Sequence, residues 1–326
     1  MRIAFWLAPW FAMSLACAAD AAQPPVLQAS SVRLVYVKDH TFYFADGHAK
    51  VLYEVDVDVP IGAFSVSPDS TQIAFASGTG DFGGSLRLLT VATGRIELLR
   101  RESQRAGVVH VRSESGYAYD VPEFSPTGKS IAYVVRHGKA AGDANSADEP
   151  FEIMEVGTRR TRALKSDAML RKEPQVIGRL SWSPDEKYLT FDLPLAPYLD
   201  LGTQRVQRLA EDKRLSDAGT TFGWYGENCV IVDGHERRNK DPHQPADLLV
   251  YGMNSKSLAP LLETVKVPVQ DLPAFTQLEV SDSLMLLTEN DRRVLLYNFA
   301  TREAVATIEA ARARLVPTRH AGASCE

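Results

Sequence analysis

The stretch Val66-Ser67-Pro68-Asp69-Ser70-Thr71-Gln72-Ile73-Ala74-Phe75 decides the fold, because it recurs twice more without a gap. Phe124-Ser125-Pro126-Thr127 leads to Ile131-Ala132-Tyr133, and Trp182-Ser183-Pro184-Asp185 leads to Leu189-Thr190-Phe191. Proline presets φ for the first corner of a tight turn, and the Ser before it and the Asp or Thr after it bond back to the local backbone. The apolar residues two apart that follow share one strand face. Each copy is therefore a hairpin. Weaker copies are Trp224-Tyr225-Gly226 before Val230-Ile231-Val232, Val280-Ser281-Asp282 before Leu284-Met285-Leu286-Leu287, and Leu27-Gln28-Ala29-Ser30 before Leu34-Val35-Tyr36. Reference positions 29, 68, 126, 184, 226 and 282 make six units with a mean spacing of about 51 residues, a period that signals a propeller. Each unit continues with a third strand, a short turn and a fourth strand, as in residues 85–91, Thr93-Gly94 and residues 95–99. The expected fold is all-β: a six-bladed β-propeller with four antiparallel strands per blade over residues 22–317, then a flexible C-terminal tail over 318–326.

Composition bounds the rest. The chain has 326 residues, 45% apolar and 24% charged, which gives ample material for a core and excludes disorder and collagen. Its 36 basic and 41 acidic side chains give a net charge of -5, so nucleic acid is not an expected partner and any anion site must be local. Three cysteines with no Cys-x-x-Cys pair make neither a disulfide scaffold nor a metal knuckle. A bridge from Cys229 to Cys325 is compatible with an oxidising compartment, and a buried free Cys229 is the favoured reading. Arg2, the apolar residues 3–15 and the Ala-rich residues after them read as an export signal over 1–21, cleaved near residues 18–22. The mature protein is expected in the periplasm as a monomer. Ser14-Leu15-Ala16-Cys17 partly resembles a lipoprotein box, with Leu15 one place late, and membrane attachment follows only if Cys17 is lipidated.

The Ser-Pro-Asp turn followed by Ile-Ala-Phe resembles the repeat of TolB-type propellers and related WD-like repeat proteins, as a period over residues 27–310 and strongly at three turns. The resemblance implies a six-bladed, periplasmic ring that holds another protein or a glycan, and it carries over no catalytic residues. A propeller seals itself by lending one terminal strand to the opposite end. Residues 25–28 or residues 312–317 could supply it, with the second favoured.

In such a ring the loop between strands two and three and the link from strand four to the next blade open on one face. The long connections 100–116, 136–150, 165–175, 234–246 and 264–273 all fall there. The first four hold 12 Lys or Arg and 9 Asp or Glu, a local excess of cations, together with four of the seven histidines. Solvated surface is the ordinary role of such side chains, and only their gathering on one face points to binding. A cationic mouth would attract an anionic peptide or glycan through its field. The candidate ligand contacts are Arg105, His110, Arg112, Arg136, His137, Arg171, His235, Arg237, Arg238 and His243. Tyr117 and Tyr119, at the entry to an inner strand, join them, although strand packing also accounts for both. Phe75, Phe124, Tyr133, Trp182, Phe191 and Trp224 keep fixed offsets from the turns and are expected to pack between sheets.

Chemistry is sparse. His235, Asp241 and His243 match no zinc spacing, Asp143, Asp148 and Glu149 are a weak calcium set, and no metal or cofactor is expected. There is no Gly-x-Ser-x-Gly or His-Glu-x-x-His, and Gly78-Thr79-Gly80-Asp81-Phe82-Gly83 matches a dinucleotide fingerprint in letters only, between strands. The reading is an exported, noncatalytic propeller that binds an envelope protein or an anionic glycan through its long-loop face. The alternative is a metal-assisted lyase or hydrolase acting on acidic oligosaccharide.

Overall fold

The computed structural model describes residues 31–80, 83–102, 116–138, 151–164, 178–192, 197–209, 221–234, 247–255, 258–260, 277–281, 283–289, 292–298, 300–310 and 312–316. The expected signal over 1–21 and tail over 318–326 lie outside them. Among the described residues the strands run up and down, in units that we number in chain order. The first holds Leu34–Lys38, Thr41–Ala45 and Val51–Asp56, and the second Phe64–Val66, Gln72–Gly80, Gly83–Thr90 and Arg95–Arg100. In the third are Gly116–Phe124, Ser130–Gly138, Phe151–Glu155 and Thr161–Leu164, and in the fourth Leu180–Trp182, Tyr188–Phe191, Pro197–Asp200 and Arg205–Arg208. The fifth contains Thr221–Tyr225, Cys229–Gly234, Asp247–Gly252 and Leu258–Pro260, the sixth Gln277–Ser281, Leu284–Glu289, Arg293–Asn298 and Glu303–Glu309. Last among the described strands, Arg312–Leu315 pairs antiparallel with Leu34–Lys38 and completes the first unit from the carboxyl-terminal side.

Hydrogen bonding makes these units into four separate four-stranded sheets and one eight-stranded sheet, an all-β, propeller-like arrangement. The expectation of six separate four-stranded sheets is corrected at this point. The second and third units are joined by one bridge, Gly84 to Tyr119. A β carbon at Gly84 would lie 2.1 Å from the Ser77 carbonyl oxygen, so only glycine lets the backbones close at this irregular strand end.

The three strong turns share one construction. Ser67 Oγ donates to Asp69 Oδ1 at 2.6 Å and accepts from the Gln72 amide at 2.9 Å. Ser183 Oγ donates to Asp185 Oδ1 at 2.8 Å and accepts from the Tyr188 amide at 2.8 Å. Ser125 Oγ accepts from the Ser130 amide at 3.3 Å, with Thr127 Oγ1 standing where the carboxylate is elsewhere. The second residue after each proline has positive φ: Ser70 (58°), Gly128 (71°) and Glu186 (57°). Burial alone would raise the Asp69 and Asp185 carboxyls, but the bonds each accepts from its own turn hold both below the usual carboxylate range.

Alternation along each strand then sends successive side chains to opposite neighbours. Ile73 and Phe75 pack against the first unit while Ala74 packs against the third. Similarly Ile131, Tyr133 and Val135 face the second unit and Ala132 and Val134 the fourth. Each buried cluster is thus shared by consecutive units, and one joins Leu284, Leu286 and Leu296 of the sixth to Leu34, Ala313 and Leu315 of the first. The repeating aromatics all lie in these clusters, as their offsets predict.

Candidate functional site: an axial chamber at the Ser-Pro end

Inner strands present one position each to the axis. Their register with the second strands aligns Ser65, Glu123, Ser181, Gly223, Glu279 and Arg314, opposite Ala74, Ala132, Thr190, Ile231, Leu286 and Val35. Between these strands and the turns lies a chamber of about 440 Å³. Pro68, Pro126 and Pro184 form part of its rim, and Phe124, Trp182, Phe222 and Trp224 line its wall. The Trp182 indole donates to the Glu123 carbonyl at 3.1 Å and the Trp224 indole to the Ser181 carbonyl at 3.3 Å. Each ring is thereby pinned to the unit before it. Thr127 adds a link between turns, its amide donating to Glu186 Oε1 at 2.8 Å.

Four charges fill the inner end. Glu279 Oε1 lies 2.9 Å from Arg179 Nη2 and 2.6 Å from Arg314 Nε, and Arg314 Nη2 lies 2.5 Å from Glu123 Oε2. The Arg314 Nε proton does not point along its ion pair, so that contact is Coulombic and not a hydrogen bond. Backbone groups complete the shell: Arg179 donates to Leu278 O at 2.6 Å, Arg314 donates to Phe64 O at 2.8 Å, and Glu279 accepts from the Leu315 amide at 2.7 Å. Two cations and two anions cancel, which lets them share a nearly buried place. Burial pushes the Glu123 carboxyl upward despite Arg314 and Arg179, and burial lowers Arg179 despite Glu279. For Arg314 burial acts downward, and the Glu123 and Glu279 carboxylates outweigh it and raise the guanidinium.

Gly223 keeps the fifth position open. Its φ is 139°, and a β carbon there would touch Ser181 Oγ at 3.4 Å. Behind the quartet, Asp192 accepts the amides of Gly178 and Arg179 at 2.8 and 2.9 Å. Burial pushes its carboxyl up to about 6 against those two bonds.

Neither protein-family profiles nor curated protein sequences give a match. Among solved structures, TolB from Acinetobacter baumannii superposes with a TM-score of 0.58 at 16% identity, over 88% of this chain and 67% of that one. The fold is a TolB-type β-propeller. A structure from a study of two prolyl endopeptidases also aligns, with a TM-score of 0.48 at 12% identity, over 86% of this chain and 43% of the other.

None of the sequence-derived candidates is among the described residues that line the chamber of this TolB-type propeller. Arg105, His110, Arg112, Arg171, His235, Arg237, Arg238 and His243 lie outside the described residues. Tyr117 pairs in register with His137, and Arg136 with Ala118, on the two longest strands of the third unit. Tyr119 packs edge-on against Tyr133, centroids 5.8 Å apart, in the core between the second and third units. Cys229, read as a buried free thiol, is instead disulfide-bonded, and both other cysteines of the chain lie outside the described residues. The residues that sequence reasoning missed are Glu123, Arg179, Glu279 and Arg314. A signal was present, since Leu278-Glu279-Val280 and Ala313-Arg314-Leu315 each set one charge among apolar residues.

Proposed function

We propose that this chain is an exported, noncatalytic propeller of six blades that binds an envelope protein. Core clusters shared between consecutive units, the last joining sixth to first, support counting the eight-stranded sheet as two blades. Arg2 and the apolar residues 3–15 support export and a periplasmic address. The observation that carries the binding reading is the chamber. A concave site walled by aromatic rings, rimmed by prolines and floored by mutually neutralised charges suits an apolar polypeptide segment better than a free ion. The paired arginines have no net charge to offer, and the Trp182 and Trp224 rings, packed in the core, turn only an apolar edge to the cavity.

Photo-crosslinkers placed at Thr127 and Glu227, exposed residues that line the chamber, should capture one envelope protein. The comparison arm places them at Arg136, Arg171, Arg237 and Arg238, the long-connection cations that remain the second candidate surface. Capture only from that arm would overturn the chamber as the protein site.

A further inference from the structure

A second concavity, of about 300 Å³, lies at the seam between the sixth unit and the first. Lys38 and Asp39 stand at the turn between the first unit's second and third strands, and Arg292 at the matching turn of the sixth. Glu309 and Ala310 end the sixth unit, Arg312 begins the closing strand, and Ile61 lies on the link to the second unit. All belong to the face opposite the Ser-Pro turns, so this groove is separate from the chamber.

We propose that this groove is a subsite for a carboxylate-bearing sugar, a uronate residue of an acidic glycan. The inference rests on reading the molecule as a binding scaffold and not on what fills the chamber. Three cations, Lys38, Arg292 and Arg312, face two acids, Asp39 and Glu309, a local excess of one positive charge in a chain of net charge -5. Among the described residues none of the five forms an ion pair with another, and apart from Arg312 Nη1 their side chains make no hydrogen bond there, which leaves those groups to a ligand. Their backbones are fixed. Ala310 donates to the Arg292 carbonyl at 3.2 Å, and Val57 donates to the His40 carbonyl at 2.9 Å. Asp39 holds a positive φ of 53° in that tight turn. Arg312 donates Nη1 to the Ile61 carbonyl at 2.8 Å, tying the closing strand to the link between the first and second units, which orients the rest of its fork. A guanidinium receives a carboxylate through charge-assisted hydrogen bonds, Asp39 and Glu309 accept from sugar hydroxyls, and the half-buried Ile61 offers an apolar contact to the ring's C–H face. A phosphate dianion matches less well, because the two acids repel it and gain no hydroxyl donors.

The full chain is titrated by calorimetry with hexagalacturonate, with maltohexaose as the uncharged sugar and inorganic phosphate as the sugar-free anion. Hexagalacturonate should bind, and more weakly as salt rises from about 0.03 to about 0.3 M. Arg292→Ala, at an exposed turn residue whose side chain bonds nothing among the described residues, should weaken it about tenfold, and Arg292→Lys less. Arg312→Ala should act likewise, with circular dichroism confirming that the closing strand stays in place. Equal binding of maltohexaose, equal or tighter binding of phosphate, or no effect of Arg292→Ala would overturn the subsite. Failure of crosslinking from Thr127 and Glu227 with galacturonate binding intact would instead defeat the chamber reading alone.

Discussion

At Ser67-Pro68-Asp69 and at Ser183-Pro184-Asp185 the same atoms make the same bonds, whereas the axis position three residues before each proline holds Ser65 in one unit and Ser181 in another. Between them in the ring, and beyond them, that axis position holds Glu123, Gly223, Glu279 and Arg314. A turn is solved by its own backbone, so each copy reaches the same answer. An axis side chain meets other units across the ring, and its partners come from far along the chain, as Arg314 meets Glu123 across 191 residues. Repetition therefore marks what the scaffold needs locally, and the departures from it mark where the molecule is individual.

The sharpest way to break this contrast is at Glu279, which serves both arginines and the Leu315 amide. Glu279→Ala leaves the buried Arg179 without its carboxylate and Arg314 with Glu123 alone, and should cost about 3–5 kcal/mol in urea denaturation. A loss under about 1 kcal/mol would mean that solvent, and not the quartet, balances those charges.

Asp192 comes next, because its shift is written in pH. Burial pushes its carboxyl up to about 6 in the folded state, above the ordinary carboxylate range. A raised acid contributes stability that is complete below the unfolded value and lost as pH rises through the folded one. Asp192→Asn, which keeps an acceptor for the Gly178 and Arg179 amides, should remove that decline between about pH 4 and 6. It should gain up to about 3 kcal/mol relative to the parent at neutral pH. Parallel stability curves for the two proteins would contradict the shift.

A turn substitution should cost less. Asp185→Ala loses the bonds from Ser183 Oγ and the Lys187 amide, about 1–2 kcal/mol together. Since that carboxyl is held low, the stabilisation is present above the ordinary carboxylate range and fades as pH falls through the lowered value. Parent and variant melting temperatures should therefore converge in acid. Smallest of all, Ser181→Ala alters the axis position without touching a charge and should stay within about 0.5 kcal/mol. A Ser181 effect as large as that of Glu279 would erase the distinction between charged and small axis residues.

The turns were legible because every residue that makes them is adjacent in sequence, and with them came the period, the strand faces and the packing role of Phe75 and Tyr133. The join of the second and third units was not, because it is a single bridge from Gly84 to Tyr119 at an irregular strand end, and adjacent glycines in the sequence read only as a turn. The quartet was hidden for another reason. Glu123, Arg179, Glu279 and Arg314 are scattered over three fifths of the chain, and only the register of the inner strands puts them at one depth. The long connections stand out in the sequence because cations accumulate there, yet a paired buried charge adds nothing to such a count.

Because the segment that seals the first unit is Arg312–Leu315, a chain still being made is an open arc. Until that strand docks, Leu34–Lys38 is paired on one side only. The same segment carries Arg314 to Phe64 O, 250 residues upstream, so sealing the first unit and finishing the chamber's floor are one event.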